Sequence, residues 1–263
     1  MKAPAWKTEL DYDDTGTDAT PVVLLHAFPL HRGMWEPQTP LARGARLIRY
    51  DLRGLGRTPL GGPEVPFEFH VEDLFALLDH LKLRSAVLCG LSLGGYIALR
   101  AVERSPERVR ALILCDTKSE ADDDEAKLKR ANGVLAIKRD GLDRYAEGFL
   151  PMALAPGAAA KKPALADRVR ELIAANSPDG VCAALLAIAG RTDTTASLAK
   201  VRVPTLVVVG EEDGLTPPSA ARALAGAIAG AKLALVPEAG HLSNLENPYA
   251  FNRAVGSFLE AVK

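Results

Sequence analysis

Ser85-Ala86-Val87-Leu88-Cys89-Gly90-Leu91-Ser92-Leu93-Gly94-Gly95 is the stretch on which the fold turns. Ala86–Cys89 is a short apolar run without polar alternation, the pattern of a strand buried on both faces of a parallel sheet. Leu93–Arg104 then reads as a helix. Between them, Gly90 and Gly94 flank Ser92 at two residues either side, where larger side chains would collide with the neighbouring strand and helix. A serine that merely capped a helix would need no such glycines. The turn predicts instead a strained backbone that holds a hydroxyl clear of the sheet, at a helix N-terminus whose dipole and free N–H groups face developing negative charge. Ser92 is therefore the candidate nucleophile.

Outward from this turn the same alternation repeats. Val22–Leu25, Leu47–Tyr50, Ala111–Cys115, Val203–Val209 and Lys232–Val236 are further apolar runs. Glu72–Leu83, Ser219–Ala229 and Tyr249–Val262 read as helices between or after them. Alternating strand and helix predicts right-handed βαβ units and an α/β fold with a mostly parallel sheet flanked by helices. Trp6–Tyr12 alternates and predicts a half-exposed antiparallel edge strand. The alternation stops over residues 118–193, which are rich in Ala, Leu, Lys, Arg and Glu and punctuated by Pro151, Pro156, Pro163 and Pro178. That stretch predicts a helical lid of three to five helices inserted after the sixth strand, over the carboxyl ends of the strands. Residues 1–117 and 194–263 would form the core domain.

A serine hydroxyl needs a base to take its proton. His241 lies in the Gly-rich loop Glu238-Ala239-Gly240-His241-Leu242 between the last strand and last helix, and Asp213 follows the Val203–Val209 run in Gly210-Glu211-Glu212-Asp213. Loops at the carboxyl ends of adjacent parallel strands converge, so the distance in sequence is no obstacle. Glu211, Glu212 and Asp116 are rival acids. Among the other histidines, His26 is expected to pin a loop, His31 to lie near the mouth of the site, and His70 and His80 to sit on the surface. Attack on an ester carbonyl charges its oxygen, and one fixed backbone donor lowers that barrier by ~3–4 kcal/mol. Leu93 N–H is one expected donor. Phe28 N–H, in His26-Ala27-Phe28-Pro29, is the other, because Pro29 has none.

Composition sets outer limits. The 263 residues carry a formal net charge of −1, with 25% charged and 48% hydrophobic residues, which describes an ordinary globular chain without the basic stripe that nucleic acid requires. Met1–Asp14 has no apolar leader and no apolar run approaches the ~18–20 residues of a membrane span, so the cytoplasm is the simplest home. Cys89, Cys115 and Cys182, an odd number with no CxxC pair, predict no disulfide or zinc, and Cys89 and Cys115, each ending an apolar run, predict buried small hydrophobes. The Asp122–Glu125 run reads as a solvated helix start and not as a metal site. No cofactor is implied.

HAFPL-x-x-x-MW (26–35), YDLRGLGRT (50–58), CGLSLGGYIAL (89–99), PERVRALILCDT (106–117), VPTLVVVGEEDGLTPP (203–218) and AGHLSNLENP (239–248), in that order, resemble the α/β-hydrolase superfamily along nearly the whole chain outside the lid. The likeness is greatest to the subgroup of 3-oxoadipate enol-lactonases and small bacterial carboxylesterases. It implies a triad of Ser92, Asp213 and His241 in the family's chain order, with Phe28 and Leu93 as oxyanion donors. Ala27 stands where the family's HG pair has glycine, and Leu55 and Thr58 replace the His and Ser of its RGHGxS loop.

The substrate is read less directly. The apolar stretch Phe149–Leu154 offers Leu150, Met152 and Leu154, with Leu242, as walls for small or medium acyl groups. An enol-lactone of this type carries a carboxylate, yet residues 118–193 hold 12 Lys or Arg against 12 Asp or Glu. The reading is therefore a carboxylesterase working through an acyl-enzyme on a small-molecule ester. The alternatives are a 3-oxoadipate enol-lactonase or other lactonase, a C–C hydrolase or perhydrolase-like relative, and a slow-turnover hydrolase-fold receptor.

Overall fold

The computed structural model describes residues 1–63 and 65–262. Eight strands, β1 (Lys2–Ala5), β2 (Thr8–Asp14), β3 (Pro21–Leu25), β4 (Arg46–Tyr50), β5 (Ala86–Leu91), β6 (Val109–Cys115), β7 (Thr205–Gly210) and β8 (Lys232–Val236), form one sheet in the order β1-β2-β4-β3-β5-β6-β7-β8. From β4 to β8 every neighbouring pair is parallel, and β2 joins β4 and β1 antiparallel. The period of two along each strand divides the core. Val23, Leu25, Leu88, Leu112 and Val207 face one side, where α1 (Phe67–His80), α2 (Leu93–Arg104) and α7 (Pro218–Ala227) pack. Val22, Leu24, Val87, Ile113 and Val208 face the other, against Met34 and Trp35 of the 3₁₀ segment Arg32–Arg43 and Phe251, Val255 and Phe258 of α9 (Pro248–Ala261).

The N-terminal strand differs from expectation. Trp6 and Lys7 form a turn, with Lys7 at φ 55°, so Trp6–Tyr12 is not one strand but the end of a hairpin whose outer member, β1, is the edge. Helix α1 starts five residues before the expected Glu72, because Pro66 leaves it free to begin at Phe67 and Phe67, Val71 and Leu74 all reach the core. Its His70 is a correction: expected at the surface, it is fully buried on the inward stripe with Leu74 and Leu77, and neither ring nitrogen has a hydrogen-bond partner among the described residues. His80 is exposed and shares a 3.3 Å contact with the Tyr12 hydroxyl.

Between β6 and β7 lie four helices, α3 (Asp124–Ala153), α4 (Ala158–Lys161), α5 (Pro163–Ala174) and α6 (Pro178–Ala189). Asp123 caps α3 through the Ala126 N–H, and Gly141 at φ 84° breaks it into two. Asp122 is a second correction. It is not solvated but nine-tenths buried, because Arg191 and Arg130 reach it at 2.7 and 3.1 Å and anchor the start of the insertion to its end. Gly180 explains how close α6 comes to the core: a Cβ there would lie 1.7 Å from the Gly54 carbonyl oxygen. Gly54 belongs to the loop in which Leu55 is buried and Thr58 Oγ1 accepts the Asp11 N–H, so the two family departures there serve packing. The three cysteines are free and buried. No single helix among the described residues is long and apolar enough to cross a membrane, and none of their His, Cys, Asp and Glu side chains group to hold a metal ion.

Candidate active site

Ser92 sits between β5 and α2 with φ 53° and ψ −110°, a region that L residues rarely occupy. Its surroundings fix it there. A Cβ on Gly90 would lie 2.2 Å from Gly94 O, one on Gly94 2.1 Å from Leu25 O, and one on Gly95 2.5 Å from Thr117 Cγ2. Backbone cannot yield as a flexible side chain can, so Gly90 and Gly94 admit hydrogen alone; at Gly95 the obstacle is the Thr117 side chain, which its hydrogen bond to Ser92 O holds in place. Ser92 N–H donates to Cys115 O at 2.9 Å, and Thr117 Oγ1 donates to Ser92 O at 2.9 Å, which ties the turn to the end of β6.

Asp213 follows β7 and His241 follows β8. His241 Nδ1–H donates to Asp213 Oδ2 at 2.9 Å, with both side chains at most 4% exposed. The other carboxylate oxygen accepts the N–H groups of Leu215 and Thr216 at 2.8 and 2.9 Å, and Thr216 Oγ1 donates to Oδ2 at 2.6 Å. Burial pushes the Asp213 carboxyl up. The bond and charge of His241 and the donors of Thr216 outweigh it and hold the group below the usual carboxylate range. Glu211 and Glu212 are exposed, and Asp116 turns its carboxyl to Gly210 and Ser243 and not to His241. Thr216 was missed; the signal was its place three residues after Asp213, where a side chain can close back on the acid. Among the described residues His241 Nε2, the nitrogen that a serine proton would reach, has no protein partner.

The Leu93 and Phe28 N–H groups, first in α2 and in the loop after β3, are likewise left without a partner among the described residues. That loop is set by His26, whose Nε2 accepts the Leu52 N–H at 2.9 Å while Nδ1 donates to Ala27 O at 3.0 Å. Complete burial, against the nearby Asp51 charge, pulls the ring down to about 4, so it stays neutral. Ala27 fits because its side chain is fully buried among Met34 and its neighbours. The Phe28 ring meets Tyr145 of α3 edge-on at 6.3 Å, so the insertion walls this side of the site.

The expected pocket residues divide. Leu150, Leu154 and Leu242 are buried in the core cluster with Phe149 and Ala153. Met152 is 51% exposed: helical periodicity that turns 149, 150 and 153 inward turns it to solvent. His31 lies elsewhere. It lines a polar cavity of about 450 Å³ with Arg32, Asp51 and Arg57, in which none of Ser92, Asp213 and His241 takes part.

The model of the alpha/beta hydrolase fold family matches residues 20–248, and the chain belongs to that family. It is 28% identical to 3-oxoadipate enol-lactonase 2 of Acinetobacter baylyi over 95% of this chain and 93% of that one. A thermophilic esterase from Thermogutta terrifontis superposes with a TM-score of 0.94 at 35% identity, covering 100% of this chain and 98% of the other. The enol-lactonase of Burkholderia xenovorans superposes with a TM-score of 0.91 at 29% identity, over 99% and 100% of the two chains. The chain is thus a hydrolase of this fold with esterases and enol-lactonases among its relatives.

Proposed function

We propose that this protein hydrolyses carboxylic esters through an acyl-enzyme formed on Ser92, with His241 as base and Asp213 as its orienting acid. Two observations support the reading: the 2.9 Å Asp213–His241 bond between the loops after β7 and β8, and a serine held at φ 53° after β5 of the same parallel sheet. In the first step Ser92 Oγ attacks the carbonyl carbon as its proton passes to His241 Nε2, and Phe28 and Leu93 N–H take the charge on the carbonyl oxygen. The alcohol leaves with the proton from His241. Water, activated by the same nitrogen, then releases the acid and restores the serine. Asp213 keeps Nδ1 protonated throughout, so that Nε2 is the atom free to accept.

Lactones are esters closed on themselves, and the same steps open them. With enol-lactonases among the relatives, a lactone that carries a carboxylate, as an enol-lactone of that type does, is the second reading.

Steady-state turnover of p-nitrophenyl esters, neutral lactones and carboxylate-bearing lactones tests both readings. Ser92→Ala is expected to lower kcat by ~10⁴–10⁶, leaving only binding and the oxyanion donors. Release that stalls after one equivalent in the native protein, or survives in the alanine variant, would overturn the reading of turnover through an acyl-enzyme on Ser92. Equal kcat/KM for the two lactone classes would remove the second.

A further inference from the structure

Asp116 ends β6 at φ 44°, another position where a residue other than glycine is held in left-handed backbone. It is fully buried, and its own N–H donates to Val208 O at 2.8 Å. Its two carboxyl oxygens go to different places. Oδ1 accepts the N–H of Gly210, the last residue of β7, at 2.8 Å; Oδ2 accepts Ser243 Oγ–H at 2.5 Å. Gly210 is the root of the loop that carries Asp213, three residues on. Ser243 opens the short helix α8 (Ser243–Glu246), two residues after His241. The two loops also touch directly at this level, since a Cβ on Gly210 would lie 2.1 Å from Gly240 O.

We propose that Asp116 is a positioning residue, a buried carboxyl that sets Asp213 against His241 by holding the roots of both their loops. The proposal rests on the triad reading above. The titratable groups facing Asp116 are Asp213 on the β7 loop, Glu246 on α8 and the Cys115 thiol beside it on β6. Burial and the Asp213 charge push the Asp116 carboxyl well above the usual range, against the hydrogen bonds of Ser243 and Gly210. Of the two acids Asp116 is the one raised and Asp213 the one lowered, so negative charge settles first on Asp213, where the imidazole needs it. An amide can bridge the same two loops once the Ser243 hydroxyl turns round: its oxygen accepts from Gly210 and its nitrogen donates to Ser243 Oγ.

That prediction separates the device from a general contribution to stability. Asp116→Asn is expected to keep kcat within about threefold of the native protein, with the acid limb of the kcat/KM profile against pH unmoved. Asp116→Ala, which frees both loops, is expected to lose about 10–100-fold in kcat with KM within about twofold. Its acid limb should move to lower pH, because a carboxylate that sits less well against the imidazole favours the charged ring less. Ser243→Ala cuts one arm only, folds more readily, and is expected to lose about 3–10-fold with a smaller movement of the same sign. Wild-type kcat and acid limb in Asp116→Ala or Ser243→Ala overturn the proposal, as does Asp116→Asn that is as impaired as Asp116→Ala. A Ser92→Ala control run alongside marks the other failure: if it still turns over, the triad reading has failed and takes this proposal with it.

Discussion

Ser92 carries a backbone conformation that the protein must hold at a cost of about 1–3 kcal/mol, and Gly90, Gly94 and Gly95 are the means. The GxSxGG spacing was enough to read this, because the close approaches it allows are set by local chain geometry. The acid was less legible. Glu211, Glu212 and Asp213 stand together in sequence, and what separates them is the turn in which Asp213 folds back onto the N–H groups of Leu215 and Thr216. Asp213→Asn is expected to leave the protein folded and to cost about 10⁴ in kcat, since the amide favours the wrong imidazole tautomer. Glu212→Gln should lose less than about tenfold, because an exposed charge in water is screened. Rates for both variants at one pH decide it; a crippled Glu212→Gln beside an active Asp213→Asn would move the acid by one residue.

The helices of the insertion meet the core through close backbone contact as well as side chains. Gly180 brings α6 onto Gly54, with no room for a methyl group between them. Gly180→Ala must shift one of two backbones and is expected to cost about 1–3 kcal/mol, a fall of several degrees in Tm. It should also raise KM for bulky esters, as α6 moves with α3 and its Tyr145. Unchanged melting and KM would show that the loop and helix are not locked. Sequence gave no warning of this contact, since nothing in SPDG distinguishes a packed glycine from one in a turn. It did predict the six parallel-paired strands β3 to β8, whose apolar runs are continuous, and α2, and helices after β6 where those runs stop; β1 and the turn at Trp6 were not read. Met152 faces solvent for a plain reason: a six-residue apolar stretch on a helix cannot present every side chain to the same face.

His70 and His26 make the whole molecule sensitive to acid. Complete burial, with the Arg53 charge, pulls His70 down to about 3, and burial pulls His26 to about 4. Both lie below the ~6.5 of an unfolded chain, so the unfolded state takes up protons first and stability falls as pH drops below that value. Each neutral histidine gives a slope of about 1.4 kcal/mol per pH unit there. The raised carboxyls of Asp116 and Glu246 act in the opposite sense, so a comparison between variants isolates the histidine. His70→Leu, which replaces two unpartnered nitrogens beside Phe67, should match or exceed the native stability at pH 7.5 and gain on it steadily towards pH 5. Urea midpoints at those pH values measure the gap; a constant gap would mean that His70 takes a proton in the folded protein as easily as in the unfolded one. Of the two, His26 pins its loop as its sequence setting implied, and His70 was misread as a surface residue. The neutral ring of His70 passes as a hydrophobe inside, and only packing reveals which side of a helix faces in.

The central claim, that Ser92 is the one serine made nucleophilic by this arrangement, is tested most directly by treating the native protein with a fluorophosphonate and mapping the adduct by peptide mass spectrometry. The expected result is one phosphonyl group per chain, on Ser92, lost when His241 is changed to Ala. An adduct on any other residue, or full labelling of Ser92 without His241, would contradict it.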